Sequence, residues 1–108
     1  MCWVLERVSK TVMKKLPKMS LFFRYGGEEF VVLCDMNFGE NIHVLAEKIR
    51  TSVEALDWEY DTCITISVGV SCSEMSTDPL WVADQNLYHS KKSGKNRVTY
   101  TLYTDKKE

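Results

Sequence analysis

No apolar run in the sequence approaches the ~18 residues that a membrane-spanning helix needs, so no membrane contact is expected from this segment. The N-terminus lacks the basic-then-apolar layout of a secretory signal. An excess of charge of one sign is missing too: 14 basic residues stand against 15 acidic ones, a net of −1. That balance supplies no bulk field for holding nucleic acid or an anionic surface, although a local cluster can still hold a small phosphate ligand. There is no repeat and no low-complexity segment, and the two prolines and five glycines form no linker. The four cysteines, Cys2, Cys34, Cys63 and Cys72, never stand at C-x-x-C spacing and have no histidine close by, which argues against a zinc motif. They are read as buried free thiols in a reducing cytosol, and the chain as cytoplasmic.

What is present suits one small domain: 108 residues, 44% hydrophobic and 27% charged. Val4, Val8, Val12 and Leu16, flanked by Leu5 and Met13, repeat at helical spacing. Pro17 should end that helix, because the residue before a proline avoids the α region. Two β-favouring runs, residues 21–25 and 30–34, flank Gly26-Gly27 and predict a hairpin. The second run is apolar without alternation, which predicts a strand buried on both faces. Asn37 and Glu40 have capping-box spacing ahead of a second helix, whose apolar stripe is Ile42, Leu45, Ala46, Ile49, Val53 and Leu56. Residues 62–71 alternate, with Ile64, Ile66, Val68 and Val70 on one face, and are expected to form a strand. Asp78-Pro79 predicts an N-cap and first helical position, Leu80, Ala83, Leu87 and Ser90 continue that helix, and Gly94 is placed to cap its end. Val98, Tyr100 and Leu102 predict a last strand. Residues 105–108 are expected to be a charged tail, and residues 1–104 the partial domain.

The order α-β-β-α-β-α-β is most of a ferredoxin-like unit, an α+β fold with helices packed on one sheet. It lacks the opening strand. In that topology the first strand is central, so the sheet is expected to be missing its middle member.

Gly26-Gly27 lets backbone approach a ligand closely. Glu28 and Glu29 follow at once, and carboxylates beside a glycine turn suit Mg²⁺, which takes a few hard oxygens together with phosphate oxygens and water. Alone, these four residues are better explained as a turn with acidic residues at a solvated edge. Lys91 and Lys95, similarly, suit the solvated C-terminal end of a helix. Arg24 is read as a brace for the hairpin, His43 and His89 as surface residues without a catalytic role, and Trp3, Trp58 and Trp81 as packing groups.

Three blocks change that weighting. Residues 24–30 (RYGGEEF) match the signature of the GGDEF family, whose third position is Asp or Glu. Residues 64–70 (ITISVGV) resemble the family's TISIGV strand, and residues 83–98 (ADQNLYHSKKSGKNRV) resemble its ADxALYxAKxxGRNRV block. The resemblance spans roughly residues 4–98. It implies a palm-type nucleotidyl cyclase sheet and diguanylate cyclase chemistry, the condensation of two GTP into cyclic di-GMP across a pair of facing domains. It implies two Mg²⁺ per intact active site. Carried over position by position, Glu28 would hold Mg²⁺ and help deprotonate the 3′-hydroxyl, and Glu29 would assist the metal site. Gly26 and Gly27 would lie under the nucleotide, and Lys91 and Lys95 would contact the terminal phosphates. Lys95 replaces the family's usual Arg, exchanging a bidentate fork for a point charge.

Other family features are absent. The D-x-x-x-F-K-x-x-N-D and G-H-x-x-G-D segments, which supply a metal-binding Asp and the guanine-reading Asn and Asp, do not occur, and Met1-Cys2 stands where Gly-Asp would. The product-binding R-x-x-D is replaced by Pro17-Lys18-Met19-Ser20, so no feedback binding of cyclic di-GMP is expected there. The expectation is a truncated domain, inactive by itself. The alternative is a non-catalytic regulatory module that binds nucleotide weakly or pairs with another GGDEF domain, as a homodimer or with a different chain.

Overall fold

Helix α1 (Cys2–Lys15) and helix α2 (Ile42–Glu54) bury the stripes expected of them and lie against each other. The computed structural model describes residues 2–26, 29–34, 42–58, 63–71 and 78–100. Val8 and Val12 from α1 meet Leu45, Ile49 and Val53 from α2, with Trp58 closing the core. Trp58 is held by its indole N–H, which donates to Val53 O at 3.2 Å, and by the Arg7 guanidinium 4.8 Å above its ring. Arg7 also donates to Asp57 O at 2.8 Å, fastening the segment after α2 to α1. Helix α1 stops two residues before Pro17, as the proline requires. The Asn37/Glu40 capping box lies outside the described residues.

The hairpin strands β1 (Leu21–Gly26) and β2 (Glu29–Leu33) pair antiparallel, Leu21 opposite Leu33 and Phe23 opposite Val31, with a register shift between Arg24 and Gly26. One face, through Phe22 and Val32, packs on the α1–α2 core. The other does not: Leu21, Phe23 and Tyr25 alternate along β1 and are 60%, 44% and 57% exposed, with Leu33 at 53% beside them. The expectation that β2 is buried on both faces is therefore corrected. Its apolar composition permitted double burial, but Glu29, Phe30, Val31 and Val32 are only half-buried and Leu33 is exposed.

Strands β3 (Val68–Val70) and β4 (Val98–Tyr100) pair parallel, Val68 opposite Val98. They form a second two-stranded sheet, separate from the hairpin. Thus β2 has β1 as its one described strand neighbour and β3 has β4, the arrangement expected when the ferredoxin-like order lacks its central strand. The same lack explains why the alternating run is a strand only over Val68–Val70: Ile64 and Ile66 still reach the core, but their backbone has no ladder to join. Leu102 lies outside the described residues.

Helix α3 (Pro79–Lys92) packs on β3 and β4. Asp78 caps it, accepting from Trp81 N–H at 3.2 Å, with Pro79 in the first turn. At its far end the Lys95 N–H donates to Ser90 O at 2.9 Å across Gly94, whose φ is +125°. That six-to-one bond is the Schellman closure, which needs a residue tolerant of positive φ at this point. Ser90, fully buried, donates to Val68 O at 2.9 Å and meets Thr99 Oγ1 at 2.7 Å, while Asn86 Nδ2 donates to Val70 O at 2.7 Å. Side-chain bonds to strand carbonyls thus fix α3 on the β3–β4 pair, and satisfy groups that would be costly to bury unpaired.

Three further expectations are corrected. Cys63 is exposed and Cys34 only half-buried, because neither falls within a two-sided sheet. Trp81 is 59% exposed on the outer side of α3 rather than packed. His43 is not a free surface group: its ring stacks on Tyr100, centroids 4.0 Å apart and planes 9° from parallel. No helix among the described residues is long and apolar enough to cross a membrane.

Candidate nucleotide-handling site

The hairpin and α3 come together at one point. Lys91, in the last turn of α3, donates from Nζ to Glu29 Oε2 at 3.3 Å. Glu29 is the first residue of β2 and stands opposite Gly26 across the hairpin. Both side chains are part exposed, 47% for Lys91 and 38% for Glu29. A pair this wet contributes at most about 1 kcal/mol and separates easily when either group gains a better partner.

Two features of the sequence put these groups in register. Gly69, in β3, lets α3 sit directly on the strand: a Cβ there would lie 2.1 Å from Ala83 O and 2.2 Å from Leu87 N. The α3 face then carries Asp84, Tyr88 and Lys91 at i, i+4 and i+7. Together with Gln85, Leu87 and Glu29 they line an open cleft of about 390 Å³. Sequence reasoning gave no role to Asp84, Gln85 or Tyr88. The helical face that Asp84 and Tyr88 share with Lys91 was the available signal.

Of the six residues expected at the site, the structure joins Glu29 and Lys91. Gly26 closes β1 nearby, with nothing within 4 Å of where its Cβ would be, so that the backbone there is open to an approaching group. Gly27 and Glu28 lie outside the described residues. Lys95 does not line the cleft; it sits beyond the end of α3, in a turn where Gly94, Lys95 and Asn96 all have positive φ. Among the described residues no three His, Cys, Asp or Glu side chains converge as a metal-binding group. The donor chemistry at the hairpin still fits Mg²⁺ delivered with a nucleotide, since that ion takes one or two carboxylates and completes its shell with phosphate oxygens and water.

Residues 3–97 match the family described as "Diguanylate cyclase, GGDEF domain". Diguanylate cyclase A of Treponema denticola is 39% identical to the chain over 103 residues, which cover 89% of the chain and 28% of that protein. Diguanylate cyclase DgcM of Escherichia coli K12 is 38% identical over 98 residues, 88% of the chain and 24% of that protein. The chain thus spans about a quarter of the length of these curated relatives. Among solved structures, the active GGEEF domain of a diguanylate cyclase from Vibrio cholerae superposes with a TM-score of 0.78 at 28% identity, covering 94% of the chain and 67% of that one. The GGDEF domain of DgcB from Caulobacter crescentus, in complex with c-di-GMP, gives 0.76 at 28%, covering 91% and 63%.

Proposed function

The chain belongs to the GGDEF family of diguanylate cyclase domains, and from that premise we propose that its hairpin and α3 form part of a site that handles GTP for cyclic di-GMP synthesis. The observation that carries this is the Glu29/Lys91 contact, which sets a cation of α3 against a carboxylate of the signature hairpin over an open cleft. Before ligand arrives, each group neutralises the other. A triphosphate entering the cleft offers Lys91 a stronger partner and leaves Glu29 free to face the cation that accompanies the phosphates.

In the reaction a 3′-hydroxyl oxygen of one GTP forms a bond to the α-phosphorus of a second. The bond to pyrophosphate breaks, and the hydroxyl proton passes to a carboxylate, the role assigned to Glu28. Gly26 and Gly27 let the nucleotide lie against backbone, and Lys91 and Lys95 hold the terminal phosphates. Glu28 and Glu29 would hold Mg²⁺, which would supply charge stabilisation to the phosphate oxygens. Guanine-reading groups and a further metal carboxylate would have to come from outside these 108 residues, which by themselves are proposed to be inactive.

Titration of the chain with Mg·GTP, followed by tryptophan fluorescence, tests the phosphate role. Lys91→Ala is expected to weaken binding about tenfold, the loss of one charge-assisted hydrogen bond. Unchanged affinity in Lys91→Ala would reject the site.

A second reading, a pairing module, rests on the exposed row of Leu21, Phe23 and Tyr25 beside Leu33. An apolar face of this kind is costly to leave in water and suits a second GGDEF domain, including another copy of this chain. Sedimentation is expected to show concentration-dependent dimers that Phe23→Ser disperses, and a clean monomer at high concentration would dismiss this reading.

A further inference from the structure

Arg50 lies on α2, away from every residue so far placed at the cleft, yet its guanidinium reaches the turn that carries Lys95. Its Nη1 donates to Asn96 Oδ1 at 2.8 Å, a contact 46 residues apart in sequence. The other end of the same amide, Asn96 Nδ2, donates to Glu54 Oε2 at 2.9 Å, and Glu54 Oε1 accepts from Arg50 Nη1 at 3.2 Å. Arg50, Glu54 and Asn96 therefore close a ring, and Arg50 Nε anchors it by donating to Glu47 Oε1 at 3.0 Å. The Arg50 side chain is 14% exposed, while its carboxylate partners Glu47 and Glu54 are 51% and 42% exposed. Arg50 in turn holds the Glu47 carboxyl below its ordinary range.

The ring grips a turn that otherwise resists forming. Lys95 has φ +63° and Asn96 +47°, consecutive non-glycine residues in the left-handed region. Asn tolerates that region and Lys does so poorly, so the conformation needs support from its neighbours. The Lys95 N–H donates to Ser90 O in α3 at 2.9 Å, the Asn96 N–H donates to Ser67 Oγ beside β3 at 3.2 Å, and Arg97 Nε donates to Lys95 O at 3.0 Å within the turn. The Arg50 and Glu54 side chains add the tie to the core helix α2, and theirs alone among these bonds hold the Asn96 side-chain amide.

We infer that Arg50 is a positioning residue for Lys95, fixing through the Asn96 amide the left-handed turn from which Lys95 meets the terminal phosphates. The inference rests on the phosphate role proposed above, and deepens it by naming what holds the second lysine in place. A guanidinium is required because one group must bond two carboxylates and an amide at once, which the point charge of a lysine does not span.

The test uses the full chain with Mg²⁺-tripolyphosphate and orthophosphate as probes, and amide hydrogen exchange at Lys95 measured against Val53 in the core. Arg50→Met is expected to speed Lys95 exchange about tenfold or more while Val53 exchange holds. It should also weaken tripolyphosphate binding about tenfold, to the level of Lys95→Ala, and leave orthophosphate binding unaltered. The double variant should lose no more than either single one, and Arg50→Lys should recover only part. Losses that add independently, or Lys95 exchange unchanged in Arg50→Met, overturn the inference. If Arg50→Met melts the whole domain, Asn96→Gly, which accepts positive φ but lacks the clamp, replaces it with the same expected outcomes. If Lys91→Ala and Lys95→Ala both leave tripolyphosphate binding intact, the phosphate role itself fails. The exchange measurement then still decides whether Arg50 holds the turn.

Discussion

Residues 1–108, supplied with GTP and Mg²⁺, are expected to give no cyclic di-GMP above background, while the same residues joined to an upstream GGDEF segment bearing D-x-x-x-F-K-x-x-N-D gain at least about 10³-fold in turnover. The reasoning is electrostatic. A metal-held phosphoryl group owes several kcal/mol of its transition-state stabilisation to a fully ligated cation, and each ~1.4 kcal/mol is tenfold in rate. Withdrawing one carboxylate ligand, at about 4 kcal/mol, accounts for that factor before the loss of guanine-reading groups is counted. The separation of the β1–β2 and β3–β4 sheets works in the same direction, because Glu29 and Lys91 then approach through one exposed contact and share no continuous sheet. Chromatographic detection of product from both proteins decides the matter. Equal turnover would show that the carboxylates within these 108 residues suffice.

Gly69→Ala is expected to be strongly destabilising. The new Cβ would stand 2.1 Å from Ala83 O, 2.2 Å from Leu87 N and 2.7 Å from Leu87 Cα. All three are main-chain atoms of α3, so no side-chain rotation relieves the overlap and the helix must move bodily off β3. Overpacking of this kind costs about 3 kcal/mol, equivalent to a fall of roughly 12–24 °C in Tm for a domain this small. The Ser90 and Asn86 bonds to Val68 O and Val70 O would stretch with it, and Lys91 would withdraw from Glu29. Gly26→Ala is the natural comparison. Nothing lies within 4 Å of its Cβ position, and its Tm should stay close to that of the parent. A thermal melt of Gly69→Ala that overlays the parent would mean that α3 does not rest on β3 as described.

Helices α1, α2 and α3 were legible residue by residue, since amphipathic spacing reports directly which side of a helix meets the core, and Pro17, Asp78 and Gly94 act through local backbone geometry. The hairpin was legible for the same local reason, and the family from its three blocks. Strand length and strand burial were not. Whether residues 63–67 join a ladder, or β2 is covered on its second face, depends on neighbours supplied by distant parts of a chain, and neither composition nor alternation carries that information.

The sequence alone therefore determined the element order, the α+β class and the membership of the signature hairpin in the GGDEF family, because each follows from local chemistry and spacing. Only the tertiary structure decided that Glu29 faces Lys91, that Asp84 and Tyr88 share their cleft, and that Arg50 reaches Asn96 across 46 positions. Those contacts arise from tertiary packing, of α3 over Gly69 and of α2 beside β3 and β4. It brings together groups whose separation in sequence conceals their proximity.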